Sequence, residues 1–138
     1  MTILNADKSG LIEADLTEQV IGVFYSVYNE LQHGFVEGVY ENALAFALRE
    51  EGLYVEQQAP LSVSFRGRIV GEFRADLVVE KRLLIELKVA SKINDAHEAQ
   101  LLNYLKTTGL HVGLLLNFGP TAQVRRRIFD SKNPLLSE

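Results

Sequence analysis

Hydrophobic and polar positions alternate along this chain in two distinct periods, and the periods divide it into elements. Val20, Phe24, Val27 and Leu31 recur at helical spacing, which predicts a helix with one buried face. Asp15, with Glu18 three residues on, reads as a capping box at its start. Gly34 reads as its end, because glycine accepts the left-handed conformation that closes helices. A second helix is predicted from Val36 to Glu51, closed by Gly52, with Val39, Leu44, Ala47 and Leu48 as its apolar positions. Glu37, Tyr40 and Glu41 lie along one side of it at i, i+3 and i+4.

The period changes after Tyr54. Leu61, Val63 and Phe65 alternate with Ser62, Ser64 and Arg66, the pattern of a strand. A turn at Gly67, a long strand from Ile69 to Val79, a polar turn at Glu80-Lys81-Arg82 and an apolar strand from Leu83 to Val89 follow. The three strands are expected to form an antiparallel meander. A third helix is predicted from Asn94 to Thr108, with Asp95 and Glu98 near its positive end and Gly109 as its cap. His111 to Phe118 reads as a buried strand. After Gly119-Pro120, the segment Val124 to Phe129 reads as an edge strand in which Val124, Arg126 and Ile128 share a face. The fold class is therefore α/β, with helices packed on a twisted mixed sheet.

Within this frame residues 15–130 are expected to form one domain, preceded by a flexible lead-in over residues 1–14 and followed by a fraying tail over 131–138. The chain has 138 residues, 47% of them hydrophobic and 23% charged, enough for a sizeable core. With no cysteine, a disulfide framework and a thiolate metal site are excluded. No apolar run approaches the ~20 residues of a membrane-spanning helix, and the first residues show no basic-then-apolar signal. A cytoplasmic protein with no membrane association is the expectation.

The net charge of −4 speaks against nonspecific coating of nucleic acid, but it is unevenly spread. Residues 1–60 carry ten acids and two bases, whereas residues 61–138 carry eight acids and twelve bases. A basic face toward phosphates and a chance distribution of solvated charge are both compatible with that asymmetry.

The chemistry is concentrated in the middle strands. Glu86 and Lys88 are two apart in an otherwise apolar strand and so point to the same face, about 6.5 Å apart, while Ile85, Leu87 and Val89 point the other way. Asp76, in the preceding strand, can lie opposite or diagonal to them. Charges placed in such apolar sequence are costly unless paired or bound to metal. An ordinary solvated strand face carrying an ion pair would show the same short pattern.

Asp76…Glu86-Leu87-Lys88 resembles the D…(D/E)xK signature of the PD-(D/E)XK nuclease-like superfamily, and the element order resembles its restriction-endonuclease-like αβββαβ core. Gly34-Phe35-Val36-Glu37-Gly38-Val39-Tyr40 is similar to the motif that names the GxxExxY family. Ala75 stands where the superfamily's name has proline, and Gln32-His33 precede Gly34 in place of a Gly-Pro-like turn. The resemblance implies catalytic roles for Glu37, Asp76, Glu86 and Lys88. In it Asp76 and Glu86 are the carboxylates that hold Mg²⁺ (or Mn²⁺), Glu37 is an extra helix-borne acid and candidate ligand, and Lys88 partners the attacking water; the Leu87 carbonyl, between the motif residues, is a further candidate ligand.

The residues agree with those roles. Three carboxylates and one ammonium sum to −2, which a divalent ion neutralises, and Mg²⁺ prefers such oxygen donors. Gln100 and Tyr104 form a Q-x-x-x-Y pattern resembling one that contacts substrate in RecB-like branches. Tyr40 is expected to orient Glu37 by a hydrogen bond, and His97 is placed outside the site. Arg125 and Arg127 are candidate phosphate contacts, although charge guarding an exposed sheet edge explains them equally well.

The function expected is a divalent-metal-dependent nuclease cleaving phosphodiester bonds in DNA, with RNA as second choice. The alternative is a non-catalytic nucleic-acid- or protein-binding module that keeps the fold. A homodimer or a protein partner is compatible with either.

Overall fold

The computed structural model describes residues 13–130, so the expected lead-in (apart from its last two residues) and the tail lie outside the described residues. Eight elements follow in the order α1 (Ala14–Leu31), α2 (Glu37–Glu50), β1 (Val55–Phe65), β2 (Arg68–Val79), β3 (Leu83–Lys88), α3 (Asp95–Thr108), β4 (Val112–Phe118) and β5 (Ala122–Ile128). The strands form one sheet in the order β1-β2-β3-β4-β5. The meander β1-β2-β3 is antiparallel, β3 and β4 are parallel with α3 as the crossover, and β5 returns antiparallel along β4. This is the α/β class expected, with β5 a full edge strand.

Two cores flank the sheet. On one face α1 and α2 bury Val20, Phe24, Tyr40, Leu44 and Leu48 against Leu77, Ile85, Leu87, Leu114, Leu116 and Phe118. On the other, α3 buries Leu101, Tyr104 and Leu105 against Ala75, Leu84 and Leu115. The inner strand β4 is buried at every position from Val112 to Phe118, as a strand covered on both faces must be.

Some local expectations are corrected. Helix α1 starts at Ala14 without the Asp15–Glu18 box: Glu13, in the left-handed region at φ 52°, is the N-cap and makes no side-chain cap. Its carbonyl instead accepts from the Thr17 backbone N–H and hydroxyl. That helix ends at Gln32, not at Gly34, and the Gln32 N–H returns to the Tyr28 carbonyl. The reciprocal box occurs on α3, where Asn94 and His97 each accept the other's backbone N–H. β1 begins at Val55, six residues before the first alternating apolar residue.

Candidate functional site: a fork between two strands

Strands β2 and β3 pair only at Leu77–Ile85, Val78–Leu84 and Val79–Leu83. Beyond that point the ladder opens, and side chains replace it. The Asp76 N–H donates to Glu86 Oε2 at 3.0 Å, and the Leu87 N–H donates to Asp76 Oδ2 at 2.8 Å. The two carboxylates thus sit inside a fork, each tied to the opposite strand. In extended backbone the carbonyl of a residue points to the same side as its N–H, so Leu87 also turns its carbonyl toward the opening.

The strand itself rolls over here. Ala75 and Leu77 are two apart and would share a face in a regular strand. Instead Ala75 joins the α3 core and Leu77 the core of α1 and α2. On β1, Gln58 adopts a positive φ of 50°, rare for a residue with a side chain. The roll directs its amide to Glu41 Oε1 at 2.7 Å and to Asp76 Oδ1 at 3.3 Å. Gln57 adds a bond to Glu41 Oε2 at 3.0 Å. Glu41, which is buried, therefore reaches the fork through Gln58. In the sequence Glu41 falls on the Glu37 side of its helix but carries no expected role in the site, and Gln58 is not singled out.

Electrostatically the fork has more acids than its one nearby cation, Lys88, can offset. Burial first, and the Asp76 charge second, push the Glu86 carboxyl up to about 8. Asp76 is raised mainly by burial, the Leu87 N–H opposing, and the nearby Glu41 adds to the rise. Glu37 stands at the N-terminus of α2 with an exposed side chain, yet protein packed around its carboxyl partly strips its water. That desolvation, then Asp76, raises its pKa, while Lys88 lowers it. Four acids and one lysine, with the carboxyl pKa values of Glu37, Asp76 and Glu86 raised, form a site whose charge a bound cation would balance. Among the described residues, however, no three carboxylates or histidines are gathered closely enough to form a ready metal cage. The donor chemistry fits a divalent ion, since each carboxylate oxygen keeps an acceptor site beyond the one N–H it takes.

Lys88 donates to Gln100 Oε1 at 3.2 Å, and Gln100 Nε2 donates to the Tyr104 hydroxyl at 3.3 Å. Both residues of the Q-x-x-x-Y pattern thus lie beside the fork, and α3 holds Lys88 on the Glu86 face. Burial, then the Glu86 charge, raises the Tyr104 pKa. His97 serves as a helix cap, outside the fork, with its pKa lowered by desolvation and then by Lys88.

Two expected roles take a different form. Tyr40 does not hydrogen-bond Glu37. Fully buried and stacked on Phe118 with 4.3 Å between ring centroids, it donates to the Gln32 carbonyl at 2.5 Å and accepts the Phe35 N–H at 3.1 Å. It locks the connection from which Glu37 emerges and so places that acid indirectly. Arg125 and Arg127 lie on one face of β5, as alternation requires, but both are drawn to Glu98 of α3: Arg125 at 3.9 Å, and Arg127 in a closer ion pair.

The segment after Lys88 is clamped as well. Asn117, fully buried beside Lys88 in the parallel ladder, accepts from the Ala90 N–H and donates to the Ala90 carbonyl, both at 2.9 Å. Gly119 lies so near that a Cβ there would sit 1.8 Å from the Ala90 carbonyl oxygen. Close backbone approach, not turn conformation, requires glycine at this point.

Comparison with known proteins bears on the superfamily and the fold. A family model described as the PD-(D/E)XK nuclease superfamily matches residues 14–128. No curated protein matches the chain by sequence. Among solved structures, that of SSO0001 is similar with a TM-score of 0.54 and 18% identity, covering 91% of this chain and 64% of its own. The chain thus spans slightly less than two thirds of SSO0001. An alkaline exonuclease from Laribacter hongkongensis is similar with a TM-score of 0.51 and 14% identity, covering 86% of this chain and 72% of its own. At these identities the likeness is one of fold.

Proposed function

Because the chain belongs to the PD-(D/E)XK nuclease superfamily, we propose that it is a divalent-metal-dependent nuclease whose reaction centre is the fork between β2 and β3. Superfamily membership implies a nucleic-acid substrate and metal dependence in general terms. We assign the chain more narrowly to the GxxExxY family on the strength of Gly34, Glu37 and Tyr40. DNA is the favoured substrate and RNA the second, and a cytoplasmic location accompanies this reading. The observation that carries it is the reciprocal tie of Asp76 and Glu86 across the opened ladder, with Lys88 on the Glu86 face.

Asp76, Glu86 and the Leu87 carbonyl would hold the ion, with Glu37 completing the acidic set. Bound Mg²⁺ or Mn²⁺ supplies Lewis-acid polarisation of a phosphate oxygen and lowers the pKa of a coordinated water. Lys88, positioned by Gln100, orients the attacking water and offsets negative charge as the water oxygen bonds to phosphorus and the leaving sugar oxygen departs. Gln58 and Glu41 keep Asp76 in place. Tyr104 and Gln100 form the wall nearest the scissile group. Arg125 and Arg127 reach a phosphate only by leaving Glu98, so they are secondary contacts in this scheme.

The test is incubation of the purified protein with single- and double-stranded DNA and RNA in Mg²⁺ or Mn²⁺, beside Lys88→Ala. Metal-dependent cleavage lost in Lys88→Ala supports the assignment. Equal cleavage by the variant would overturn it. Binding without any cleavage would favour a non-catalytic module.

A further inference from the structure

The β1–β2 hairpin is much longer than the strand it leans on. Continuing the Leu77–Ile85 register sets Arg74 opposite Lys88, the last residue of β3. Everything in β2 from Arg68 to Phe73, and the β1 residues paired with it from Leu61 to Phe65, therefore projects past the end of β3, on the side where the fork opens. Eight residues separate Asp76 from Arg68, a reach of about 26 Å in extended chain. Phe73 is braced against Tyr104, ring centroids 5.6 Å apart, so the hairpin base is tied to the wall of the fork.

The outer part of this hairpin has an unusual composition for an exposed surface. Val63, Phe65, Ile69 and Val70 are all exposed, Phe65 at 58%, Ile69 at 59% and Val70 at 61%. Phe65 pairs across the strands with Arg68 and so shares a face with it. The Arg66 guanidinium lies over the Phe65 ring, 4.8 Å from its centroid. From Leu61 to Arg74 the hairpin carries three arginines and a single acid, Glu72. An apolar platform alone would fit many partners. An aromatic ring with one guanidinium over it and a second arginine as its cross-strand neighbour, on a basic projection leading away from an acidic fork, fits a polyanion that has flat faces to stack.

We propose that the hairpin tip is a nucleic-acid-binding arm, in which Arg66 and Arg68 contact phosphates of a single strand and the Phe65–Arg66 pair stacks against its unpaired bases. This inference rests on the proposed nuclease reading for the identity of its ligand, and it adds a second contact about 26 Å of chain from the fork. A strand running from the fork to the tip would be held at two points, which favours long substrates over short ones.

Binding of a fluorescein-labelled 20-nucleotide single-stranded DNA, read by anisotropy in EDTA between 50 and 200 mM salt, tests it. In single strands each phosphate contact contributes about 0.7 to the slope of log affinity against log salt. Arg66→Ala/Arg68→Ala should therefore lower the slope by about 1.4. Phe65→Ala should weaken binding by roughly 5- to 100-fold, as loss of a stacking contact does, with little change in slope. Duplex DNA of the same length should respond less to Phe65→Ala. Unchanged affinity and slope in both variants, or no binding by the wild type, would overturn the proposal. So would a wild-type dimer in sedimentation that Phe65→Ala dissociates without affecting DNA binding, since the patch would then seat a second copy. Lys88→Ala separates the two claims: if it and the wild type bind alike but neither cleaves, the nuclease reading fails while the arm stands.

Discussion

Asp76 and Glu86 each accept a hydrogen bond from the other's strand, Glu86 from the Asp76 N–H at 3.0 Å and Asp76 from the Leu87 N–H at 2.8 Å. The exchange replaces two rungs of a β-ladder with carboxylates. It fixes two acids within one desolvated fork, where regular pairing would have covered them with backbone. The same exchange makes the fork expensive without a cation, because both acids lose water and neither gains a charged partner in hydrogen-bond contact.

That expense has a pH signature. The Glu86 carboxyl rises from an ordinary 4.5 to about 8 on folding, through burial and then through Asp76. A carboxyl with a raised folded pKa stabilises the fold fully below 4.5, and that contribution is lost as pH rises through about 8. In EDTA the wild-type melting temperature should fall between pH 5 and pH 8.5. Glu86→Gln, which keeps an acceptor for the Asp76 N–H, should flatten the profile and melt about 3–6 °C higher than wild type at the alkaline end. Parallel profiles for the two proteins would remove Glu86 as the source.

Gln58 should matter through its amide and through its backbone separately. Gln58→Ala removes the donor shared by Glu41 and Asp76, and loss of such a supporting contact should reduce cleavage by about 10- to 100-fold. Gln58→Gly loses the same donor but accommodates the φ of 50°, so it should cleave equally poorly while melting higher than Gln58→Ala. Equal melting temperatures would mean the backbone there stores no strain.

The clamp behind Lys88 predicts a severe effect at a residue with no side chain. Gly119→Ala would drive a Cβ into the Ala90 carbonyl, and overpacking against backbone should cost about 3 kcal/mol or more. Chemical denaturation should show it. A loss under about 1 kcal/mol would mean that the segment after Lys88 yields without harm.

Much of this could be read in the sequence because it rested on local periodicity. Glu86 and Lys88 stand out as charges on one side of an apolar strand, and the helix, meander, helix, strand order follows from changes of period. Other features depend on contacts between distant segments. The fork exists because β2 rolls over at Asp76, and nothing in Arg74-Ala75-Asp76-Leu77 announces a roll. Gln58 lies before the first alternating residues of β1, so it was not visible as a strand residue, still less as a bridge. Tyr40 lies one helical turn from Glu37 in the sequence, but its ring is buried and its hydroxyl bonds to Gln32 and Phe35 instead. The cap of α3 was hidden because its reciprocal partner is His97, where a glutamate or glutamine is the usual signal.

Whether the fork holds a divalent ion is tested most directly by thermal melts of wild type and Asp76→Asn in EDTA, Mg²⁺, Mn²⁺ and Ca²⁺ at constant ionic strength. An ion bound only by the folded state, at ten times its Kd, adds about 1.4 kcal/mol. The wild-type melting temperature should therefore rise by roughly 3–6 °C with metal. Asp76→Asn, relieved of one buried charge, should melt as high as wild type or higher in EDTA and respond little to any ion. Identical metal responses in the two proteins would contradict a metal site at Asp76 and Glu86.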